Sequence, residues 1–130
     1  MRYLLDVNAL IALGFNEHGQ HDKVAAWMER VNDSIFLTCS ITELGFVRIL
    51  TQSGVYGFSV RQAQALLAGL KNTPEWSFEF VVDMHDVSHL PAWVKQGSQT
   101  TDGHLLELAR AHGAELATLD GRIPGAFVIS

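Results

Sequence analysis

Four acidic side chains of this sequence could together bind a divalent cation. Asp6 and Asp120 each end an apolar run, while Glu43 and Asp102 fall near the starts of two helical patterns. Four carboxylates brought together would raise one another's pKa values unless a cation lay among them. Mg²⁺ prefers oxygen ligands of this kind. A bound Mg²⁺ lowers the pKa of a bound water and screens charge on a phosphate, which are the requirements of phosphodiester hydrolysis.

Taken alone, each acid also has an ordinary structural explanation. Asp6 follows an apolar run, where an aspartate commonly caps the next helix. The pattern Ser40-Ile41-Thr42-Glu43 has the form of a capping box. Asp102 stands near a helix N-terminus, where negative charge is favourable, and Asp120 precedes a glycine, a common turn pair. The metal hypothesis therefore depends on whether the fold brings the four acids to one place.

The hydrophobic pattern predicts strands alternating with helices along the whole chain. We expect strands at residues 3–6, 35–39, 79–83, 115–119 and 126–129, and helices at residues 8–13, 22–31, 40–52, 59–71 and 102–112. A short helix is expected within residues 84–94, a loop at residues 97–101, and a helix end at Gly113. This alternation predicts one α/β domain over residues 1–130, with a parallel sheet of four to five strands and helices on both faces. In such sheets ligands bind beyond the carboxyl ends of the strands, so the four acids are expected at one edge.

Composition limits the other possibilities. The chain has 130 residues, of which 48% are apolar, so it can build the core of one domain. No apolar run approaches the roughly 18 to 20 residues that a membrane span needs, and we expect a cytoplasmic protein. The net charge of −5 argues against non-specific attraction to nucleic acid, so any RNA contact must be local or use metal ions. The single cysteine, Cys39, cannot form an internal disulfide and is expected in a buried strand.

Three stretches, in order, resemble the PIN-domain nucleases. They are LLDVNALI at residues 4–11, SITEL at residues 40–44 and TDGHLLELARAHGAELATLD at residues 101–120. The resemblance covers essentially the whole chain. A compact chain of this length looks most like the VapC-type toxins of bacterial and archaeal toxin–antitoxin pairs.

The resemblance implies an endoribonuclease that depends on Mg²⁺ or Mn²⁺. It also implies a homodimer and a partner antitoxin that covers or enters the active site. By position, the family's acidic ligands match Asp6, Glu43, Asp102 and Asp120, and its supporting polar residues match Asn8 and Thr118. Candidates for contacts with the RNA substrate are Arg48, Thr101 and Arg122. Two residues depart from the family pattern: Gly103 stands where alanine is commoner, and Gly121 where a basic residue is frequent, a charge that Arg122 could supply.

Other functions are less well supported. An aspartate-based phosphatase with Asp6 as nucleophile would need a second acid where Asn8 stands. The spacing of His85 and His89 would suit zinc on one helix face, but no glutamate follows His85 and Pro91 interrupts the helix. A PIN-like binding module without activity is the main non-enzymatic alternative, although all four acids are present.

Overall fold

The computed structural model, which describes residues 1–130, has a central sheet of five parallel strands. The strands are β1 (Arg2–Leu5), β2 (Ile35–Thr38), β3 (Ser77–Phe80), β4 (Glu115–Thr118) and β5 (Phe127–Val128), in the order β3-β2-β1-β4-β5. The helices are α1 (Val7–Gly14), α2 (His21–Arg30), α3 (Ser40–Gln52), α4 (Val60–Lys71) and α5 (Thr100–Ala111), with 3₁₀ turns at Val87–His89 and Gly97–Gln99. The predicted α/β class and parallel sheet are confirmed.

Helices cover both faces of the sheet because side chains alternate along each strand. Tyr3 and Leu5 of β1 belong to a large core together with buried side chains of α1, α2, α3 and α4. Leu4 lies on the opposite face, in a second core with Leu105 and Leu108 of α5. None of the helices is both long and apolar enough to cross a membrane.

Strand β1 occupies the middle of the sheet, which puts its carboxyl end at the centre of one edge. Leu4 pairs with Leu37 of β2, and Leu5 pairs with Ala117 of β4. The Asp6 backbone N–H continues the ladder by donating to the Ala117 carbonyl at 3.1 Å. Asp6 therefore emerges between the ends of β2 and β4.

The capping box predicted at Ser40 and Glu43, at the start of α3, is wrong. The capping residue is Cys39, whose backbone remains extended (φ −142°, ψ 175°) and whose N–H donates to the Thr42 hydroxyl at 3.0 Å. The reason is that the Cys39 backbone is still extended, as in β2, so the helix begins directly after Cys39. The buried Thr42 hydroxyl, three residues after Cys39, is therefore the group that bonds to the capping residue. The Glu43 carboxylate is therefore not used in capping.

Two elements, β3 and α5, also differ from their predicted bounds by more than one residue. Strand β3 is Ser77–Phe80 rather than residues 79–83, because the pairing with β2 ends where the Val81 N–H donates to the Thr38 carbonyl at 2.9 Å. Helix α5 begins at Thr100, within the predicted loop, so Asp102 is its third residue. The predicted end at Gly113 is confirmed: its φ is 65°, and the Ala114 N–H donates to the Ala109 carbonyl at 2.9 Å.

Candidate metal centre at the carboxyl edge of the sheet

Asp6 is held rigidly at the centre of this edge and is only 6% exposed. Its Oδ1 accepts a hydrogen bond from the Ala9 N–H at 2.8 Å, which caps α1, and its Oδ2 accepts one from the Thr118 hydroxyl at 2.5 Å. Burial raises the pKa of the Asp6 carboxyl, and the charges of Asp102 and Asp120 raise it further, against the opposing effect of the two hydrogen bonds. The protein thus fixes a carboxylate in a place where a negative charge is costly without a cation.

Asp120 is connected to Asp6 through Thr118, the last residue of β4. The buried Thr118 hydroxyl donates to Asp6 and accepts a hydrogen bond from the Asp120 N–H at 2.9 Å. The Arg122 guanidinium donates two hydrogen bonds to the Asp120 carboxylate, from Nε to Oδ1 at 2.9 Å and from Nη2 to Oδ2 at 3.0 Å. These bonds lower the pKa of Asp120, so this acid stays ionised beside the other two.

Asp102 approaches the same edge from α5. Burial raises the pKa of its carboxyl, the Asp120 charge raises it further, and the Arg122 charge lowers it. Asp102, Asp120 and Arg122 line one cleft of about 310 Å³, whose wall includes Trp93 and Gln99. Asp102 and Asp120 therefore face one cleft large enough for water and a hydrated ion, and their charges raise the pKa of the neighbouring, buried Asp6.

Glu43 lies on the other side of Asp6, toward β2. Its Oε2 accepts two hydrogen bonds, one from the Thr38 hydroxyl at 2.6 Å and one from the Lys71 ammonium, also at 2.6 Å. The second is also an ion pair. Glu43 lines a separate groove of about 820 Å³ between α3, α4 and β3. The structure thus places Asp102 and Asp120 in one cleft, with Asp6 near them at the same edge, and pairs Glu43 with a lysine.

The donor set of the three aspartates fits a hard divalent cation. All their side-chain donor atoms are oxygens, which suits Mg²⁺ or Mn²⁺ and disfavours softer ions. No three histidine, cysteine or acidic side chains lie close enough together to bind one ion directly. Because Mg²⁺ usually keeps several waters, one or two direct carboxylates with the rest acting through water fit the spacing.

The remaining predicted residues are exposed, and only Asn8 and Thr101 lie at helix starts beside this edge, since Arg48 is the ninth residue of α3. Asn8 is exposed in the first turn of α1, Thr101 is exposed in the first turn of α5, and Arg48 is exposed on α3. Thr38 and Lys71 were not predicted from the sequence as residues of the site. Thr38 could have been found because it ends β2 as Thr118 ends β4, whereas Lys71 follows Glu43 by 28 positions and its sequence pattern gives no sign of the contact.

The histidines do not form the helix-borne pair that the spacing suggested. Only the short 3₁₀ turn Val87–His89 forms there, and the rings of His85 and His89 stack with centroids 4.2 Å apart. His104 of α5 contacts the Asp83 carboxylate through Nε2 at 2.5 Å. These side chains do not meet as a set of metal ligands.

Comparison with known sequences gives a consistent set of relatives. The PIN domain family matches residues 3–126. Ribonuclease VapC29 of Mycobacterium tuberculosis is 36% identical over 124 residues, covering 92% of this chain and 86% of that protein. Ribonuclease VapC44 of the same species is 35% identical over 126 residues, covering 95% of this chain and 89% of that protein.

Two solved structures share the fold. One is Mycobacterium tuberculosis VapC20, described as a toxin that cleaves the sarcin–ricin loop, with a TM-score of 0.67, 15% identity and 98% of each chain covered. The other is VapBC2 from Rickettsia felis bound to a DNA fragment from their promoter, with a TM-score of 0.63, 15% identity, and 98% of this chain and 97% of that chain covered. At this identity the likeness extends to the fold alone.

Proposed function

The chain belongs to the PIN domain family, and from that membership we propose that it is a metal-dependent endoribonuclease and the toxin of a toxin–antitoxin pair. Relatives named as ribonucleases, at 35 to 36% identity over most of the chain, support the activity. The observation that carries the proposal is the arrangement of Asp6, Asp102 and Asp120, whose charges converge at the carboxyl edge of the sheet.

In the proposed centre, Asp6, Asp102 and Asp120 hold Mg²⁺ or Mn²⁺ directly or through water. When bound, such an ion lowers the pKa of a water to make a nucleophile and screens charge on the phosphate. Asp6 is kept in position by Thr118 and the start of α1, so its carboxylate needs no rearrangement. Arg122 keeps the Asp120 carboxyl ionised and fixes the orientation of its carboxylate. Glu43 completes the acidic set from the side of β2.

The substrate contacts are proposed from exposure and charge. Arg122 has a side chain that is 90% exposed even while it binds Asp120, so it can also meet a phosphate of the RNA. Thr101 and Arg48 are exposed on the helices that carry Asp102 and Glu43, and Asn8 is exposed beside Asp6. Because the whole chain has a net charge of −5, these local groups and the metal ion must provide the attraction.

The partners follow from the same proposal. We expect an antitoxin that covers or enters the acidic edge, and a homodimer of this chain. Leu44 and Phe80 are exposed large apolar side chains that line the groove beside Glu43, which suits apolar contacts from a partner protein.

The direct test is cleavage of RNA by the purified chain with Mg²⁺, with Mn²⁺ and with a chelator. We expect cleavage only with a divalent ion and a loss of about 100-fold or more in Asp6→Asn, because metal-site residues matter at least as much as their supporting partners. Asp33→Asn is the matched control, since Asp33 is an exposed acid outside the helices and strands. Normal cleavage by Asp6→Asn would show that the metal site is misassigned. RNA binding without cleavage under every divalent ion would favour the binding-module alternative.

A further inference from the structure

Lys71 of α4 is held beside Glu43 by contacts with two other elements, α3 and β3. It is the last residue of α4, where a positive charge is favoured by the helix dipole. Its ammonium lies 2.6 Å from Glu43 Oε2 of α3 and 5.5 Å from the ring centroid of Phe80, the last residue of β3. The exposed fractions are 28% for the Lys71 side chain and 24% for Glu43. Such a pair is better ordered and less screened than an open surface ion pair.

The charges around the acidic edge are unevenly compensated. Asp120 is paired with the exposed Arg122, and Glu43 is paired with the sheltered Lys71. Asp6 and Asp102 make no ion pair with lysine or arginine, and Asp6 is buried. The uncompensated charge, which attracts a cation most strongly, is therefore on the Asp6 and Asp102 side of the edge.

A cation at Glu43 would have to compete with Lys71. Glu43 Oε2 already accepts from both Thr38 and Lys71, so an ion that used this oxygen would displace a fixed ammonium. It would also approach a neighbouring positive charge within a few ångströms, which is unfavourable in a partly buried place. Two-metal nucleases place their ions about 4 Å apart between shared carboxylates, each ion balancing charge. An ammonium can supply that balance without a second ion.

We propose that the Lys71 ammonium takes the place beside Glu43 that a second divalent cation would otherwise occupy, so that the centre binds one divalent ion. The inference rests on the proposed metal-dependent function and goes further by assigning the number of ions and the residue that sets it. Glu43 then acts through Lys71 and Thr38, while Asp6, Asp102 and Asp120 provide the ion site.

The test is a Mn²⁺ titration followed by electron paramagnetic resonance, which counts bound ions without measuring activity. We expect one bound ion per wild-type chain and one in Lys71→Arg, which keeps the charge. Lys71→Met should bind two, because Glu43 is left without its cation. The double variant Lys71→Met with Glu43→Gln should return to one. Lys23→Met is the matched control, since Lys23 is an exposed lysine on α2, and thermal unfolding checks that each variant is folded.

Each part of the proposal can fail separately. Two ions in the wild type, or one ion in both the wild type and a folded Lys71→Met, would overturn the role of Lys71 and leave the nuclease assignment intact. A second Mn²⁺ ion that binds Lys71→Met and still binds the double variant with Glu43→Gln would also overturn the role of Lys71, because that ion would not be bound by Glu43. A wild type that binds no Mn²⁺ would overturn the proposed metal centre itself and the present inference with it.

Discussion

Threonine hydroxyls at the ends of β2 and β4, the strands on either side of β1, orient two of the acids. Thr118 of β4 donates to Asp6, and Thr38 of β2 donates to Glu43. A hydroxyl in this position satisfies one carboxylate oxygen and leaves part of the acceptor capacity of the carboxylate for a metal or a water. Because threonine is common in strands, the same residue serves the sheet and the site.

The buried charge of Asp6 should destabilise the protein when no divalent ion is present. Its pKa is raised in the folded state, so that state holds the proton more strongly than the unfolded chain does. Stability due to this group is therefore highest at low pH and falls as pH rises above 3.8, the ordinary value, until the carboxyl is fully ionised. We expect Asp6→Asn to be more stable than the wild type at neutral pH in chelator, with the difference shrinking toward acid pH.

The measurement is the free energy of unfolding of both proteins in chelator from acid to neutral pH. Comparing the two cancels the opposite effect of Asp83 and Asp120, whose pKa values are lowered in the fold and whose contribution to stability is lost on acidification. An Asp6→Asn protein that is less stable than the wild type at neutral pH would contradict the argument. It would mean that the two hydrogen bonds to the carboxylate outweigh its burial.

The acids were recognisable from the sequence because strand ends in a parallel sheet share an edge. Asp6 and Asp120 follow apolar runs, and that is sufficient to place them together. The pairing of Glu43 with Lys71 was not recognisable, because it joins residues 28 positions apart on two helices whose packing is set by the core. Spacing predicts which strand end carries an acid, but not which side chain from another helix will reach it.

At the scale of the elements, Gly103 is required by the packing of α5 rather than by its backbone. A Cβ there would clash with Val94 Cγ2 and lie 3.1 Å from Pro91 Cδ. The departure from the commoner alanine thus lets the segment before α5 lie directly against the turn that carries Asp102. Gly103 lowers the helix propensity of α5 but allows this closer contact with Pro91 and Val94.

Gly103→Ala should therefore destabilise the protein. Alanine gains about 1 kcal/mol of helix propensity, but overpacking costs about 1 to 3 kcal/mol, and the rigid Pro91 leaves little room to relax. Gly69→Ala is the matched control, because it lies in α4 with no atom near the added methyl group and should be neutral or stabilising. Urea unfolding of the two variants checks the difference. Equal gains in stability would show that the segment at Val94 moves aside freely.

The sequence predicted the order of the elements better than their ends. Long periodic helices such as α3 and α4 were predicted to within one residue, because their apolar faces repeat at helical spacing. Strand β3 was misplaced because Val81 and Val82 continue the apolar run after pairing with β2 has ended. The capping-box prediction was wrong for a related reason. The residue at which a helix begins depends on where the preceding strand ends.

At the scale of the whole molecule, exposed apolar side chains continue beyond the edge strand β3. Val82, Met84 and Val87 are each exposed, while Asp83 between them turns inward to His104. Large apolar groups grouped on a surface are typical of a region covered by another protein. Since β3 is an edge strand with no neighbour on one side, this surface suits the proposed homodimer.

Met84→Asp should weaken that dimer strongly. In a twofold dimer every substitution occurs twice in one interface, so two carboxylates would be placed among apolar groups, at a cost of several kcal/mol. Val55→Asp is the matched control, because Val55 is 84% exposed, close to the 86% of Met84, but lies in the connection between α3 and α4. Sedimentation velocity over a range of concentrations should give a dimer for the wild type and Val55→Asp and a monomer for Met84→Asp. A monomeric wild type would refute the homodimer, and dissociation by Val55→Asp alone would place the interface at the connection between α3 and α4.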